Sequence, residues 1–475
     1  MAALTRSSTS VSSIGSASPT MPTRHSTISP SLRKRDSSAT LSTKPFSHSI
    51  FDRHAGIAAA RATYLKMLFG GAFMVIILIF TVFSIYWGSL WKTPAHNLPG
   101  WIVDFDGGLI GQAITTNLPS HGGKISWTVV SADRFPEGIS QLANAVVEDE
   151  TWVAVSINSN ASAHLSAALS SPNITYSGFE TITAMAVEAR NENAYRSIIR
   201  TSLQTSLDAL TRQISIQIVH QLTSNPNANV TALMEVSPQT LVAPVGYTIQ
   251  NLRPFDIPVA TAVTFVGLLY QLILAFFIVM IGNAARTLSG FDTLLTTRSL
   301  VVLRLGTSFI AYLILSLFYC LLSVAFQLDL TRKFGHGGFM VFWMLNYCGM
   351  LTVGLALEAM ITLLTPNFIP FFMLTWAIVN VSVSIFPLEV MPKIYHYGYA
   401  APFYNVSSAM RTIVFGTKNR VGFNFAILIV WIVISCVTIP LIQIFVRRRA
   451  MKQIQEEDLT LEVVDTEMTV EKEGA

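Results

Sequence analysis

The run Met67-Leu-Phe-Gly-Gly-Ala-Phe-Met-Val-Ile-Ile-Leu-Ile-Phe-Thr-Val-Phe-Ser-Ile-Tyr-Trp-Gly-Ser-Leu-Trp91 contains no charged residue. About 20 apolar residues in a helix cross a hydrocarbon core of about 30 Å. This stretch is long enough. It follows Lys66 and ends in Tyr86, Trp87 and Trp91, rings suited to a headgroup belt. It lies too far into the chain for a cleaved signal peptide, so it is expected to be an uncleaved signal anchor. Five more windows pass the same length test: Pro258–Gly282, Leu305–Gln327, Phe339–Leu364, Phe368–Phe386 and Asn424–Val446. The expected fold is an α-helical polytopic membrane protein with six transmembrane helices and a large extracellular α/β domain between helices 1 and 2.

Composition agrees with that reading. Of 475 residues, 51% are hydrophobic and 12% charged, against about 25% charged in soluble domains; the mean hydropathy is +0.50. A soluble enzyme is excluded. The net charge of +4 is too small and scattered to suggest nucleic acid. The three cysteines, Cys320, Cys348 and Cys436, all lie in apolar runs, so neither a disulfide framework nor a thiolate metal site is expected. No cofactor is expected.

Basic residues set the orientation. With the N-terminus inside, the inner flanks hold Arg53, Arg61, Lys66, Arg286, Arg298, Arg304 and Arg447-Arg448-Arg449. The outer side also carries cations, among them Lys92, Arg332, Arg411, Lys418 and Arg420, so the bias is modest. Glycosylation tripeptides at Asn160, Asn173 and Asn229 between the first two windows, and at Asn405 in the last outer loop, add support. Both termini are therefore expected in the cytosol.

The chain divides into five parts. Residues 1–56 form a Ser/Thr-rich, acid-poor tail expected to be disordered, followed by the anchor at 57–91. In Arg33-Lys-Arg-Asp-Ser37-Ser38 two serines follow a basic cluster, the arrangement of a phosphorylation site; a plain solvated tail is the alternative. Residues 92–257 have the length of a domain and alternate expected strands (Trp101–Asp106, Ile125–Val130, Thr151–Ile157, Thr183–Glu188) with expected helices (Leu109–Thr116, Pro136–Val147, Ala161–Leu169, Glu192–Leu222). That alternation indicates an α/β domain with some parallel pairing. In the last helix Ile198, Leu203, Leu207, Leu210, Ile214 and Ile218 make one apolar face. Residues 258–446 form the five-helix remainder of the bundle, and 447–475 an acidic cytosolic tail.

Chemistry in the 92–257 domain has thin support. Asp104 and Asp106 share one strand face, which suits a cation or, more simply, a cap on the following turn. His121, His164 and His220 form no catalytic spacing, and Gly122-Gly123-Lys124 lacks the rest of a phosphate loop. No catalytic residue and no metal ligand is assigned.

Polar residues kept inside the windows carry more information. Glu358 lies within Gly354-Leu-Ala-Leu-Glu-Ala-Met360; an ionised carboxylate at mid-bilayer costs about 2.5–3.5 kcal/mol on insertion scales. It either serves transport or gating, or is satisfied structurally, Arg304 being one available partner. Gln271, Asn346 and Asn380 suit interhelical hydrogen bonds, and Gly349 and Gly354 suit close helix approach. The segment 387–422, with Pro387, Glu389, Pro392 and Pro402 among clustered tyrosines, is expected either to rest on the headgroups or to re-enter the bilayer shielded by protein.

These residues carry a resemblance. Trp101-Ile-Val-Asp-Phe-Asp-Gly-Gly-Leu-Ile-Gly111, Trp152-Val-Ala-Val-Ser-Ile-Asn158 with Asn160-Ala-Ser after it, and Glu188-Ala-Arg-Asn-Glu192 look like parts of the fungal nitrosoguanidine-resistance membrane protein family. So do Val266-Gly-Leu-Leu-Tyr270, Gly354–Glu358, and the Pro387/Glu389/Pro392 loop with Tyr397-Gly-Tyr-Ala-Ala-Pro402. The resemblance covers about residues 60–446, and the layout is similar to ABC exporter permeases and bacterial phage-infection proteins, as fold-level analogy. It implies a multi-pass plasma-membrane protein that confers resistance to toxic compounds by export, or by altered lipid distribution. The chain has no ATP-binding cassette of its own, so a permease of that kind would need a separate ATPase docked on Ala284–Leu300.

Two functions follow as expectations. One is a permease-like protein that moves amphipathic substrates or lipids, its partners being the bilayer, a small amphipathic substrate and a separate ATPase or a second copy of the chain. The other is a scaffold that transports nothing and regulates lipid asymmetry or other transporters.

Overall fold

The computed structural model describes residues 48–121, 123–224 and 229–473, with side chains described as far as Glu456. Ser37, Ser38 and most of the N-terminal tail lie outside the described residues, as do Gly122 and the acidic side chains beyond Glu456. Residues up to Met74 form one unit and those from Val75 onward a second. In the first, the Arg61 guanidinium donates to the Ile50 carbonyl at 2.9 Å, just ahead of a helix that begins at Ala55.

The second unit contains a five-stranded sheet built from β1 (Leu98–Asp104), β2 (Ile125–Val130), β3 (Val153–Ile157), β4 (Ile182–Ala186) and β5 (Tyr247–Asn251), in the order β2-β1-β3-β4-β5. β1 pairs in parallel with β2 and β3, β3 pairs antiparallel with β4, and β4 pairs in parallel with β5. Strands β3 and β4 are buried at every position, which requires cover on both faces. Four helices supply most of it: α1 (Leu109–Asn117), α2 (Ile139–Val147), α3 (Ala161–Ser170) and α4 (Arg200–Ser224). Val103, Ala154 and Met185 pack with Leu142 and Val146 of α2, whereas Ile102, Val155 and Ala184 join the cluster of α1, α3 and α4. The apolar face of α4 is buried there at Leu203, Leu207, Leu210, Ile214 and Ile218. Each such fully buried aliphatic side chain contributes about 1.5–3 kcal/mol. Strand β5 has no counterpart in the expected elements: Tyr-Thr-Ile-Gln-Asn is half polar, and as an edge strand it alternates between half-buried and exposed.

Among the described residues, five helices are long and apolar enough to cross a membrane: Ala55–Leu90, Ala262–Leu288, Thr297–Ala325, Thr331–Val381 and Val421–Glu456. Three of them pack around the fourth. These four are named α5 (Ala262–Leu288, opening with a π turn at Ala262–Val266), α6 (Thr297–Ala325), α7 (Gly338–Val381) and α9 (Val421–Glu473), and the shorter helix between the last two is α8 (Pro402–Phe415). The sequence windows anticipate six crossings, and the difference lies wholly in α7. Its 44 residues would extend about 66 Å as one rod. Thr365, at φ 66° and ψ 162°, breaks it just before Pro366, and Pro370 follows one turn later. A β-branched residue at positive φ is strained, and prolines without N–H groups suit the start of a helix rather than its interior.

Close packing runs through the centre of the bundle. A Cβ on Gly354 would run into the ring of Tyr312, so only glycine lets α6 and α7 approach there. Tyr312 and Phe342 are fully buried.

Candidate functional site

Two charge networks stand at opposite ends of this bundle. The end beside the sheet domain is called near and the other far. From Gly338, α7 runs about 30 Å before it reaches Glu358, so Glu358 belongs to the far end.

At the far end, Glu358 is buried between two guanidiniums, with Arg304 Nε at 2.7 Å and Arg286 Nη1 at 3.0 Å from its Oε1. The same Arg304 donates to the Glu358 carbonyl at 2.5 Å and to Gln443 Oε1 at 2.6 Å. Glu358 and Arg304 together therefore tie α5, α6, α7 and α9. Arg447 closes the next turn of α9, donating to Leu295 O at 2.7 Å, Asp292 O at 2.8 Å and Thr297 Oγ1 at 3.0 Å. The structure supplies the Arg304 partner that the sequence offered and adds Arg286. The other polar residues are also engaged. The Gln271 carboxamide donates to Asn346 Oδ1, and Asn346 Nδ2 donates to Phe342 O at 2.7 Å. Asn380 Nδ2 donates to Trp376 O at 2.9 Å, and its Oδ1 accepts the Phe403 N–H at 3.2 Å. That last bond satisfies a free N–H at the start of α8, where Pro402 opens the helix.

The near end is formed by the segment after α7. Val383, Leu388, Val390, Met391, Tyr395 and Ala401 belong to the hydrophobic core of the sheet domain. The backbone is joined as well: Ala95 N–H donates to Val390 O at 2.7 Å and Asn191 Nδ2 to Ile385 O at 3.0 Å. Then α8 turns into the bundle with nearly every residue buried, and Ser407 Oγ donates to Thr264 O in the π turn of α5 at 2.7 Å. α8 is thus shielded by protein, whereas the 3₁₀ stretch before it leaves Lys393, Ile394, His396, Tyr397 and Tyr399 exposed. Pro387 and Glu389 line the seam, and Pro392 precedes a 3₁₀ turn at Lys393–Ala400.

Seven charges occupy that seam. Asp149, Arg190 and Glu192 come from the sheet domain, and Glu389, Arg411, Lys418 and Arg420 from the segment beyond α7. Arg190 lies 3.4 Å from the centre of the Trp152 ring, 3.3 Å from Asp149 and 3.7 Å from Glu389. Burial holds its pKa below the usual range, the two carboxylates pulling the other way. Arg411 pairs with Glu192 at 2.5 Å. Burial works to raise the Glu192 pKa, but the charge and hydrogen bond of Arg411 prevail and hold it below the ordinary carboxylate range. Lys418 Nζ donates to Glu148 O at 2.6 Å, and Arg420 stands 3.6 Å from Asp149. Between them lies a cavity of about 80 Å³.

The remaining expected residues fall outside both networks. Asp104 Oδ1 accepts the N–H groups of Asp106 (2.9 Å) and Gly107 (3.0 Å), while the Asp106 carboxylate takes Gly108 N–H at 3.2 Å, Ser162 N–H at 2.9 Å and the Ser162 hydroxyl. The pair caps the turn at the C-terminal end of β1 and the start of α3. Asn160, Asn173 and Asn229 are exposed. Asn405 is a correction: it is 1% exposed inside α8, with Nδ2 donating to Tyr399 O and Ala401 O, so the fold leaves no room for a glycan. Sequence reasoning missed Asp149, Arg190, Glu192 and Gln443. Their signal was weak: three charges in Glu188-Ala-Arg-Asn-Glu192, and one amide in an apolar run.

The profile of the family described as "Protein of unknown function (DUF3533)" matches residues 71–437, a span that holds the whole near network and all of the far one except Gln443 and Arg447. An uncharacterized endoplasmic reticulum membrane protein of Saccharomyces cerevisiae is 26% identical over 424 residues, 83% of this chain and 82% of its own length. No solved structure matches the chain at a significant level.

Proposed function

Because the chain belongs to the DUF3533 family, we propose that it is a permease-like membrane protein that moves amphipathic compounds or lipids, its two charge networks acting as seals at the ends of one pathway. The observation that carries this reading is that α7 and the segments it joins bear a charge network at each end. A bundle that opens alternately needs a breakable closure at both faces, and ion pairs have two discrete arrangements in a way that continuous apolar packing does not. Resistance to toxic compounds is the physiological outcome this activity would have.

Six crossings belong to the same proposal, α7 counting twice on either side of Thr365. Orientation follows from the far-end cations Arg286, Arg304 and Arg447-Arg448-Arg449, which fit a cytosolic face and leave the sheet domain on the opposite side. The name of the yeast relative speaks for the endoplasmic reticulum and the family resemblance for the plasma membrane. The topology is common to both, since lumen and exterior are equivalent sides. Exposed Asn160, Asn173 and Asn229 fit glycosylation there. A separate ATPase has a surface available on the far-end loop, where Leu288 and Leu294 are 89% and 76% exposed.

The test is flux. Full-length protein in vesicles should move a fluorescent lipid or an amphipathic dye. A bis-maleimide bridge between cysteines placed at Asp149 and Arg420 should stop that movement, while each single cysteine variant leaves it intact. The filled bundle centre around Tyr312 and Phe342 favours the second reading, a scaffold that moves nothing. Absence of flux, alone and with candidate ATPases, would establish that reading and end the first.

A further inference from the structure

The seam cavity is small, cationic and loosely paired. Its walls carry Arg190, Arg411, Lys418 and Arg420 against two carboxylates, Asp149 and Glu389. Glu192 lies outside the wall and engages Arg411. Cations remain in excess even when it is counted. An uncompensated cation in a desolvated place is costly, and an arrangement that keeps one generally meets an anion.

The internal pairing leaves room for that anion. A well-made charge-assisted bond is about 2.7–2.9 Å long. Arg190 stands at 3.3 and 3.7 Å from its carboxylates, and Arg420 at 3.6 Å from Asp149. All three contacts are therefore slack, and two of them, Arg190 with Glu389 and Arg420 with Asp149, join the two halves of the seam. The Trp152 ring backs the Arg190 guanidinium at 3.4 Å from its centre, and the planar N–H fork of a guanidinium suits a tetrahedral oxyanion. Ser384, Ser408 and Thr417 add hydroxyls to the wall.

We propose that this cavity binds a phosphate group, and that the phosphate competes with Asp149 and Glu389 for Arg190 and Arg420. About 80 Å³ takes a head of that size and no acyl chain, so a larger ligand would leave its remainder outside. A phosphate monoester carries about −1.5 to −2 charges at pH 7, close to the excess on the wall. Displacing Glu389 from Arg190 undoes a tie between the sheet domain and the segment beyond α7. Ligand binding is thereby coupled to release of the near seal. In that respect the inference rests on the permease reading, whereas the phosphate chemistry stands on the cavity alone.

The chemistry has two sources, a lipid headgroup and free phosphate, and one experiment separates them. Full-length protein in non-ionic detergent is titrated with inorganic phosphate at constant ionic strength while its Tm is followed. The same protein in phosphatidylcholine nanodiscs is compared with and without phosphatidic acid. Wild type should show a saturable rise in Tm with one or both probes, and a rise only with phosphatidic acid would assign the headgroup. The double variant Lys418→Gln/Arg420→Gln removes two half-exposed wall cations and should weaken the apparent affinity tenfold or more. A far-end control, Arg448→Gln, should respond as wild type does. Wild type unmoved by both probes, or a double variant that responds like wild type, overturns the site. Phosphate-dependent stabilisation without flux would keep the site and remove the permease; flux without stabilisation would do the reverse.

Discussion

The near and far networks use the same residue types in opposite ways. At the far end one carboxylate, 3% exposed, is held at 2.7 and 3.0 Å by two guanidiniums on regular helices. At the near end seven charges spread over loops and helix ends, with most contacts slack, one member 45% exposed and a cavity between them. A tight buried cluster loses heavily when a member goes, because the survivors are left desolvated. The pairs at the exposed rim of a looser cluster, here those of Glu389 and Arg420, exchange partners at little expense, each contributing about 0–1 kcal/mol. The far network thus reads as a latch and the near one as a seat for exchange.

Removing the latch carboxylate should have the largest effect. Glu358→Ala leaves Arg304 and Arg286 buried without their shared acceptor, a loss of about 3–5 kcal/mol. It should appear as a large drop in the detergent unfolding midpoint. Adding Arg304→Met should recover part of it, since an apolar replacement of a buried pair is often neutral. A midpoint that Glu358→Ala leaves unchanged would show that the two ends do not differ as described.

An intermediate effect is expected from pH. Glu192 has a folded pKa below its unfolded value, so its pairing with Arg411 contributes stability that is fully present above the unfolded value near 4.5 and is lost as pH falls through the folded one. Wild type should therefore lose stability on acidification below about pH 4.5, and Glu192→Gln should flatten that limb while lowering stability at neutral pH. Equal acid limbs in the two proteins would remove Glu192 from the account.

What could be read from the sequence followed the range of the physics behind it. Apolar length is local, so each membrane helix could be read; only the division at Thr365 differs, and Pro366 and Pro370 mark it. The apolar face of α4 was legible for the same reason. Glu358 stood out because a carboxylate in an apolar run is conspicuous, and Arg304 was within reach on the neighbouring window. Gln443 was not legible, as an amide that meets Arg304 across 139 residues of chain. The near network was hidden more completely: Arg411 meets Glu192 across 219 residues and Lys418 meets Glu148 across 270. No periodicity encodes such pairs. The same limit explains Asn405, whose tripeptide looks like any exposed one until α8 is seen to be buried, and β5, whose polar edge sequence carries no strand pattern.

The smallest effect sharpens the contrast most. Glu389 is 37% exposed and 3.7 Å from Arg190, so screening by solvent takes most of the attraction between them. Glu389→Gln should change stability by less than about 1 kcal/mol. Salt supplies the control, because its Debye length of about 8 Å at 0.15 M shrinks to about 3 Å at 1 M and weakens exposed pairs far more than buried ones. Unfolding midpoints of wild type and Glu389→Gln should therefore converge as salt is raised, while the deficit of Glu358→Ala persists. A gap for Glu389→Gln that stays constant between low and high salt would mean the near seam is as dry as the far latch. The slack distances around Arg190 would then describe a rigid structure in place of an exchangeable one.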